Sequence, residues 1–370
     1  MSDINTTNTI PLEIGSIIDS TLTQGQKNIL CKFSLQQKKD FIVLLDKFGI
    51  EYVELQNPNL SKDLLLELES LIEFKKTNNL SIKYIVNIRN DINDIQTISN
   101  INSIEYLKIH LDNNIESINL EETIKNLSTI NPNINIHLGI KNAFQIHPNI
   151  ISNMISETET YINTICLEDS LGVSTHYDVE ALLTIIDIYN TSIECTFQND
   201  SSSAVYNSYI ALLNGCKYIN TSVLGIGQKN GITNLSGFIS RIYNISKPSL
   251  DKYNLHILKD MDNFVSNILN IYIPINNPIT GFSMYHNSEP NQLIPINLNS
   301  IDFNLNNEIN IIQFENLKKF LHINNINLDD EYIKKLSYIL QDNINKNPKL
   351  YYKIYVNKKF ALKYILKYIS

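Results

Sequence analysis

The stretch that decides the fold is Ile193-Glu194-Cys195-Thr196-Phe197-Gln198-Asn199-Asp200, which is followed at once by Ser201-Ser202-Ser203-Ala204. Its first half reads as an apolar strand, and the serines read as the start of a helix. Thr196 and Gln198 are two residues apart, so on a strand their side chains point to the same face. A strand that passes directly into a helix is a building unit of α/β proteins, and most of the chain repeats this unit.

Strand-like and helix-like runs alternate along most of the sequence. We predict strands at Ile14–Asp19, Glu51–Leu55, Ile82–Val86, Ile104–Ile109, Ile134–Ile140, Asn163–Leu167, Ile193–Phe197 and Lys217–Val223. The helices that follow are predicted at Leu35–Phe48, Lys62–Lys76, Ile92–Ile98, Glu121–Leu127, Pro148–Glu157, Tyr177–Ile188, Ser203–Leu213 and Leu235–Ile245. Eight such repeats over roughly 230 residues are typical of a TIM (β/α)₈ barrel, so the predicted fold class is α/β. A doubly wound sheet is the rival, but neither G-x-G-x-x-G nor G-x-x-x-x-G-K follows the first strand.

A small C-terminal helical region is predicted after the barrel. We assign residues 1–13 to an N-terminal tail, 14–272 to the barrel, and 273–370 to a linker and the helical region. Two prolines in Ile273–Phe282 exclude a helix and predict an extended linker, and Leu293–Ile311 reads as a loop. The C-terminal helices are predicted at Asn316–Leu321, Asp329–Leu340 and Phe360–Ile369.

Composition restricts the partners and the compartment. The formal net charge is −8 and the pI is about 5.4, which argues against nucleic acid and membrane as partners. The four cysteines are scattered without a Cys-x-x-Cys pair, so we expect them to be reduced and mostly buried. No apolar run reaches membrane-spanning length, and Met1–Asn8 contains neither arginine nor an apolar segment. We therefore expect no presequence and a cytoplasmic or nuclear protein.

A family resemblance extends from Gly15 to Ile339 and is densest at Ile17–Leu22, Phe48–Leu55, Ser222–Gly227, Asn230–Thr233 and Asn276–Phe282. In these segments the chain resembles the homocitrate synthases, which group with the isopropylmalate synthases. The resemblance implies a barrel that condenses acetyl-CoA with 2-oxoglutarate. It also implies a divalent metal such as zinc that polarises the oxo acid, a base that deprotonates the acetyl group, and an arginine that stabilises the oxyanion.

The chain departs from the family at the positions that would carry this chemistry. Where the family has Leu-Arg-Glu-Gly-Glu-Gln, Thr23 replaces the catalytic arginine and Gln24 replaces a metal-binding carboxylate. Thr196 and Gln198 replace the paired histidine ligands after the seventh strand. The remaining altered positions are Asn87, Asn287 and Gln292 for histidines, Lys141, Asn142 and Gln145 after the fifth strand, and Gln228-Lys229 for Glu-Arg after the eighth.

Three residues keep some of the family's polar character. Arg89 is retained on the third strand, and Ser170 keeps the hydroxyl of a turn that helps to hold the substrate carboxylate. His286 is one place from Asn287, so a shifted alignment makes it a fallback catalytic histidine. Glu168 and Asp169 are adjacent on a strand and face opposite ways, which argues against a joint acid–base role. Asn199-Asp200 reads as a helix N-cap.

These substitutions predict that the metal site is lost. Divalent cations prefer carboxylate and imidazole ligands, whereas Gln24, Thr196 and Gln198 offer only neutral oxygens. Thr23 cannot replace the permanently charged, bidentate guanidinium of arginine. We therefore expect no catalytic residue and no cofactor, and we expect Arg89 and Ser170 to be the residues that hold a residual 2-oxo acid.

Three hypotheses remain open from the sequence. The first is a non-catalytic binding or regulatory paralogue linked to lysine biosynthesis, which forms a homodimer or a heterodimer with an active homocitrate synthase. The second is an active acyltransferase with a rearranged site that uses His286, Ser170 and Arg89. The third is a decaying gene copy without a molecular role.

Overall fold

The computed structural model describes residues 14–28, 31–99, 101, 103–111, 133–186, 191–281, 314–347, 349–350, 353–354 and 358–369. The chain divides into two compact units, Met1–Ile271 and Tyr272–Ser370, and each is described by itself. Predictions that lie outside the described residues concern the tail 1–13, the helix at 121–127, the loop at 293–311, His286, Asn287 and Gln292. In the described part of the chain, no helix has the length and apolar character needed to cross a membrane.

The first unit is a closed barrel of eight parallel strands, in which each strand pairs with the next along the chain. The strands are β1 Ser16–Asp19, β2 Tyr52–Leu55, β3 Lys83–Arg89, β4 Tyr106–Leu111, β5 Asn135–Lys141, β6 Thr164–Asp169, β7 Ser192–Phe197 and β8 Tyr218–Thr221. Pairing of Ser16 with Tyr218 and of Asp19 with Thr221 joins β8 to β1 and closes the barrel. The predicted TIM barrel is therefore confirmed.

Helices surround the strands on the outside. They are α1 Leu35–Phe48, α2 Lys62–Thr77, α3 Ile92–Ser99, α4 Pro148–Thr158, α5 His176–Ile185, α6 Ala204–Leu213, α7 Leu235–Ser246 and α8 Leu258–Leu269. The start of α1 is a capping box, in which Ser34 Oγ accepts from the Gln37 amide and Gln37 Oε1 accepts from the Ser34 amide. The buried Phe41 ring lies 5.8 Å from the Phe264 ring of α8, so an apolar face holds α1 on the barrel.

The barrel interior has an aromatic layer beneath a charged one. Tyr52 meets Tyr106 and Tyr218 edge-on, at ring-centroid distances of 5.3 and 5.6 Å. Two residues further along β2 and β4, towards the carboxyl ends of the strands, Glu54 and Lys108 also point inward and are buried. The charged layer therefore lies between the aromatic floor and the strand ends.

The end of β7 is held by the loop that follows β8. The Thr233 amide donates to the Phe197 carbonyl at 3.2 Å, and the Asn199 amide donates to the Gly231 carbonyl at 2.8 Å. Gln198 forms an isolated antiparallel bridge with Ile232 in the same loop. The loop therefore fixes the backbone that carries Gln198.

The second unit contains α9 Phe314–Ile323, α10 Asp330–Lys346 and α11 Lys358–Leu366. Asp329 caps α10, because its side chain accepts from the Tyr332 amide at 2.7 Å. Leu321 of α9, Leu340 of α10 and Ile365 of α11 are fully buried in one apolar cluster. The predicted C-terminal helical region is therefore present and has a core of its own.

Several predicted element ends were wrong by a few residues, and the predicted extended linker was wrong as well. β1 begins at Ser16 rather than Ile14, and β8 ends at Thr221 because Leu224 takes a left-handed φ of 58° within a 3₁₀ turn. The described part of the predicted extended linker, residues 273–281, instead forms turns. The Gly281 amide donates to the Asn277 carbonyl at 2.9 Å, so local hydrogen bonds fold this segment.

Gly231→Ala is expected to destabilise the protein more than Gly215→Ala. Both glycines have positive φ, 80° and 86°, so alanine is strained at either position. An added Cβ at Gly231 would lie 1.8 Å from the Gly225 carbonyl oxygen, whereas nothing lies within 4 Å of one at Gly215. We expect losses of about 1 kcal/mol for Gly215→Ala and about 3 kcal/mol for Gly231→Ala in urea unfolding. Equal losses would contradict a close backbone contact in the loop that holds β7.

Candidate functional site

We call the side chains Thr23, Gln24, Asn87, Glu168, Thr196 and Gln198, at the carboxyl ends of β1, β3, β6 and β7, the mouth. Active sites of this fold lie at this end of the barrel, because the loops after the strands converge there. The structure places the predicted ligand and catalytic positions of the described residues in this region. It also shows what each of their side chains contacts.

Thr196 and Thr23 both bind other residues of the protein. Asn220 Nδ2 of β8 donates to Thr196 Oγ1 at 2.6 Å. Thr23 Oγ1 donates to Glu54 Oε2 at 3.0 Å. Both threonines are buried, so their hydroxyl groups are already used in hydrogen bonds within the barrel.

Gln24 and Gln198 differ from the two threonines. Their side-chain Oε1 atoms are buried, and neither accepts a hydrogen bond from any group in the described part of the chain. A buried polar atom of this kind normally binds water or a ligand. The two glutamine oxygens are therefore the mouth atoms that can accept a hydrogen bond from a donor outside the protein.

Asn87, His110 and Glu168 form a connected set. Asn87 Nδ2 donates to the Leu55 carbonyl at 3.0 Å, which turns Asn87 Oδ1 towards His110 Nε2 at 2.6 Å. His110 Nδ1 lies 2.9 Å from Glu168 Oε1. Burial acts to raise the pKa of Glu168, but the charge and hydrogen bond of His110, with Lys108 and Lys27, lower that pKa to about 2. Glu168 is therefore ionised and paired rather than free.

Arg89 is held by Asp94 in the first turn of α3. Arg89 Nε donates to Asp94 Oδ2 at 3.0 Å, and Arg89 Nη2 donates to Asp94 Oδ1 at 2.8 Å. Burial acts to raise the pKa of Asp94, but hydrogen bonds from Arg89 and Asn59 hold it well below its usual range. Because this bidentate pair occupies the Nε and Nη2 edge of the guanidinium, Arg89 could bind a substrate carboxylate only through its remaining N–H groups.

Glu168 and Asp169 lie on opposite faces of β6, as their adjacent positions on a strand predict. Asp169 accepts from the amides of Gly172 and Ser174, both at 3.0 Å, and thereby shapes the turn that carries Ser170. Ser170 is half-buried on that turn. The N-cap of α6 is Ser203, so the N-cap predicted at Asn199-Asp200 was wrong in position, although Asn199 Oδ1 accepts from the Ala204 amide at 3.3 Å.

A second polar group, not predicted from the sequence, lies below the mouth. We call Glu54, Lys108, His137, Glu194 and Asn220 the interior cluster. The Lys108 ammonium forms ion pairs with both Glu54 and Glu194. His137 Nδ1 lies 2.8 Å from Glu194 Oε2, and Asn220 Nδ2 donates to Glu194 Oε1.

The neighbouring groups keep both the Glu194 carboxylate and the Lys108 ammonium of the interior cluster charged. Burial alone would raise the pKa of Glu194, but the Lys108 charge and the His137 hydrogen bond hold that pKa well below its usual range. Burial alone would lower the pKa of Lys108, but Cys166, Glu194 and Glu54 keep it well above its usual range. The ammonium and the Glu194 carboxylate therefore remain charged at neutral pH.

The sequence contained a signal for the interior cluster. Glu54, Lys108 and Glu194 each occupy an inward position within an otherwise apolar strand, where a lone charge needs a partner. His110 carries the same signal, two residues after Lys108 on β4. Pairing them from sequence alone would have required the barrel register.

The mouth does not fit the divalent metal that the family resemblance implies. Gln24, Thr196 and Gln198 contribute neutral oxygens, and the one mouth carboxylate, Glu168, is paired with His110. Across the described ranges, no three His, Cys, Asp or Glu side chains come together in a way that could hold a metal ion. A cation such as zinc would have no anionic ligand at the vacated positions.

The fold and the polar residues at the strand ends define a TIM barrel of the kind that works at the carboxyl ends of its strands. Residues 15–265 match the HMGL-like family model, and the chain belongs to this family. The family assignment made from the sequence is thereby confirmed.

Curated relatives of the chain include homocitrate synthases. It is 28% identical over 285 residues to the cytosolic isozyme of Saccharomyces cerevisiae, with 73% of this chain and 65% of the relative covered. It is 27% identical over 282 residues to the mitochondrial homocitrate synthase of Yarrowia lipolytica, with 73% and 62% covered. The chain therefore spans slightly less than two thirds of the length of these relatives.

Solved structures share the fold at lower identity. HMG-CoA lyase of Bacillus subtilis superposes with a TM-score of 0.57 at 14% identity, with 72% of this chain and 97% of that chain covered. The carboxyl transferase domain of Rhizobium etli pyruvate carboxylase gives 0.58 at 11% identity, with 71% and 48% covered. These neighbours support the barrel architecture and nothing finer.

Asp19 makes the stability of the β1 end depend on pH. Its carboxylate accepts from the Thr21 amide at 3.0 Å and from Thr21 Oγ1 at 2.9 Å. Burial raises the pKa of Asp19 from 3.8 to about 7, against the opposing Thr21 hydrogen bonds. The folded state therefore binds this proton more tightly than the unfolded state, and the resulting stability is present below pH 4 and lost as the pH rises to 7.

Asp19→Asn is expected to remove this pH dependence. The free energy of unfolding of the wild type, relative to that of the variant, should fall by up to about 4 kcal/mol between pH 4 and pH 7. Urea unfolding at several pH values measures this difference. Asp251→Asn, which changes an exposed carboxylate, is the matched control and should keep the wild-type profile. Parallel profiles for wild type and Asp19→Asn would contradict the assignment.

Proposed function

We propose that this protein is a non-catalytic relative of homocitrate synthase that acts by binding, as a partner or regulator of an active homocitrate synthase in lysine biosynthesis. One observation carries the proposal. The side chains at the positions of the catalytic arginine and of a metal-ligand histidine, Thr23 and Thr196, are used in hydrogen bonds to Glu54 and Asn220.

The chemistry of the mouth supports the loss of catalysis. Enzymes lower barriers by about 8 kcal/mol or more, and preorganised charge is usually the largest contribution. Condensation of an acyl-CoA with an oxo acid places negative charge on the oxo-acid oxygen in the transition state. Thr23, Gln24, Thr196 and Gln198 are all neutral, so none of them can balance that charge.

A ligand can still bind where the reaction does not occur. The unpaired oxygens of Gln24 and Gln198 can each accept a hydrogen bond from a ligand, and the Ser170 hydroxyl remains on the turn built by Asp169. A 2-oxo acid in its hydrated or hydroxylated form has hydroxyl donors for the glutamines. We infer that such a ligand is the residual small molecule of the mouth.

The competing function is an acyltransferase with a rearranged site. His110 favours it, because its side chain is 21% exposed and its Nδ1 atom lies 2.9 Å from Glu168 Oε1. An imidazole beside a carboxylate is a common general base. Arg89 is held by Asp94, and His286 lies outside the described residues.

The purified protein is expected to bind no stoichiometric zinc and to release no CoA from acetyl-CoA with 2-oxoglutarate. The reason is the neutral donor set of the mouth. Elemental analysis and a thiol-release assay on the same sample measure both properties, and EDTA should leave the thermal unfolding midpoint unchanged. The matched control combines Thr23→Arg, Gln24→Glu, Thr196→His and Gln198→His, and it should gain zinc. CoA release by the wild type that His110→Ala abolishes would establish the competing function.

The regulatory role predicts an effect on an active enzyme. Mixing this protein with an active homocitrate synthase should change the rate of CoA release by about fivefold, the lower end of typical coupling between sites. The two proteins should also elute together in size-exclusion chromatography. An unrelated (β/α)₈ barrel at equal concentration is the control. If the rate and the elution volumes do not change, the regulatory role is wrong even where catalysis is absent.

A further inference from the structure

The Lys108 ammonium lies near the axis of the barrel. It contacts Glu54 of β2 and Glu194 of β7 while its backbone belongs to β4. In the closed strand order β3 separates β2 from β4, two strands separate β4 from β7, and two separate β7 from β2. A single nitrogen that reaches side chains on three such widely spaced strands must be central.

The surroundings of this nitrogen have the composition of a cation site. Glu54 Oε1 and Glu194 Oε1 contact the ammonium directly. The other oxygen of each carboxylate is also bound, Glu54 Oε2 by Thr23 Oγ1 at 3.0 Å and Glu194 Oε2 by His137 Nδ1 at 2.8 Å. Two oriented carboxylates aimed at one point form a receptor for a compact cation.

The same cluster is connected to the vacated metal position. Asn220 Nδ2 donates both to Glu194 Oε1 and to Thr196 Oγ1, so one amide joins the anionic partner of Lys108 to the mouth. Lys108 itself is 1% exposed, so a cation from the solvent cannot take the place of its ammonium group. The mouth is therefore connected to a cation that cannot dissociate.

We propose that Glu54 and Glu194 form an internal cation site, and that the Lys108 ammonium is its permanent, covalently attached occupant. The site takes a primary ammonium group, and its filling keeps the two buried carboxylates compensated without any free ion. This inference goes beyond the proposed function, because it concerns the charge balance of the barrel and holds whether or not the mouth is catalytic.

Chemical rescue of Lys108→Ala tests the proposal. The substitution removes three methylenes and the ammonium, which are the atoms that n-propylammonium supplies. Because one partner of a buried pair is lost, the thermal unfolding midpoint should fall by roughly 10 °C. Millimolar n-propylammonium should recover at least half of that shift, while 1-propanol, which has nearly the same shape without the charge, should recover none.

Three comparisons can overturn the proposal. The wild type and Lys38→Ala, whose lysine pairs with Glu67 outside the barrel, should not respond to n-propylammonium. If propanol and propylammonium raise the thermal unfolding midpoint equally, the ligand fills a cavity and its charge is not recognised. If the midpoint of Lys108→Ala is unchanged from the wild type, the carboxylates need no cation. The CoA-release result does not enter any of these outcomes.

A second variant decides the matter if Lys108→Ala does not fold. Lys108→Met combined with Glu54→Gln and Glu194→Gln removes the cation together with the two anions. Neutral replacement of a buried ionic set is often tolerated, so this triple variant should fold and ignore n-propylammonium. Failure of the triple variant to fold, or stabilisation of it by propylammonium, would refute charge compensation as the role of Lys108.

Discussion

The barrel depends on the ion pairs of Lys108 with Glu54 and Glu194. Two carboxylates buried in the interior are strongly destabilising unless a cation and hydrogen bonds compensate them. Lys108 supplies the positive charge, while Thr23, His137 and Asn220 form hydrogen bonds with the carboxylate oxygens. Because Glu54 lies on β2, Lys108 on β4 and Glu194 on β7, these ion pairs join strands that do not pair with each other. The hydrogen-bonded ladder closes the barrel, and the ionic cluster fixes its cross-section.

The mouth takes its arrangement from this layer. Glu54 holds the Thr23 hydroxyl, and Asn220 divides its amide between Glu194 and Thr196. His110 Nδ1 likewise lies 2.9 Å from Glu168 Oε1, and Asn87 orients the His110 ring from β3. The Thr23 and Thr196 side chains therefore belong to an internal network. A side chain that completes such a network is held in one rotamer.

The sequence predicted the larger features of the fold well. The alternation of strand-like and helix-like runs identified the eight barrel strands, because each repeat carries its own periodicity and caps, as the Ser34–Gln37 capping box at α1 illustrates. The exact ends of the strands were harder to predict, since a strand ends where its pairing with a neighbour ends. After β8, Leu224 takes a left-handed backbone conformation that its side chain does not encode. The positions of Thr23, Gln24, Thr196 and Gln198 at strand ends followed from the family resemblance. The interior cluster did not, because pairing Glu54, Lys108 and Glu194 requires the barrel register, which the sequence alone does not give.

The contrast between the two layers has a physical reason. A neutral side chain of the mouth, such as Thr23 or Gln198, can be replaced without leaving a buried charge unpaired. A charge on the axis cannot, and removing one member of a buried pair exposes the other to the full desolvation penalty. The interior charges can change only together. Glu54, Lys108 and Glu194 thus form one charged set beneath the neutral side chains Thr23, Gln24, Thr196 and Gln198.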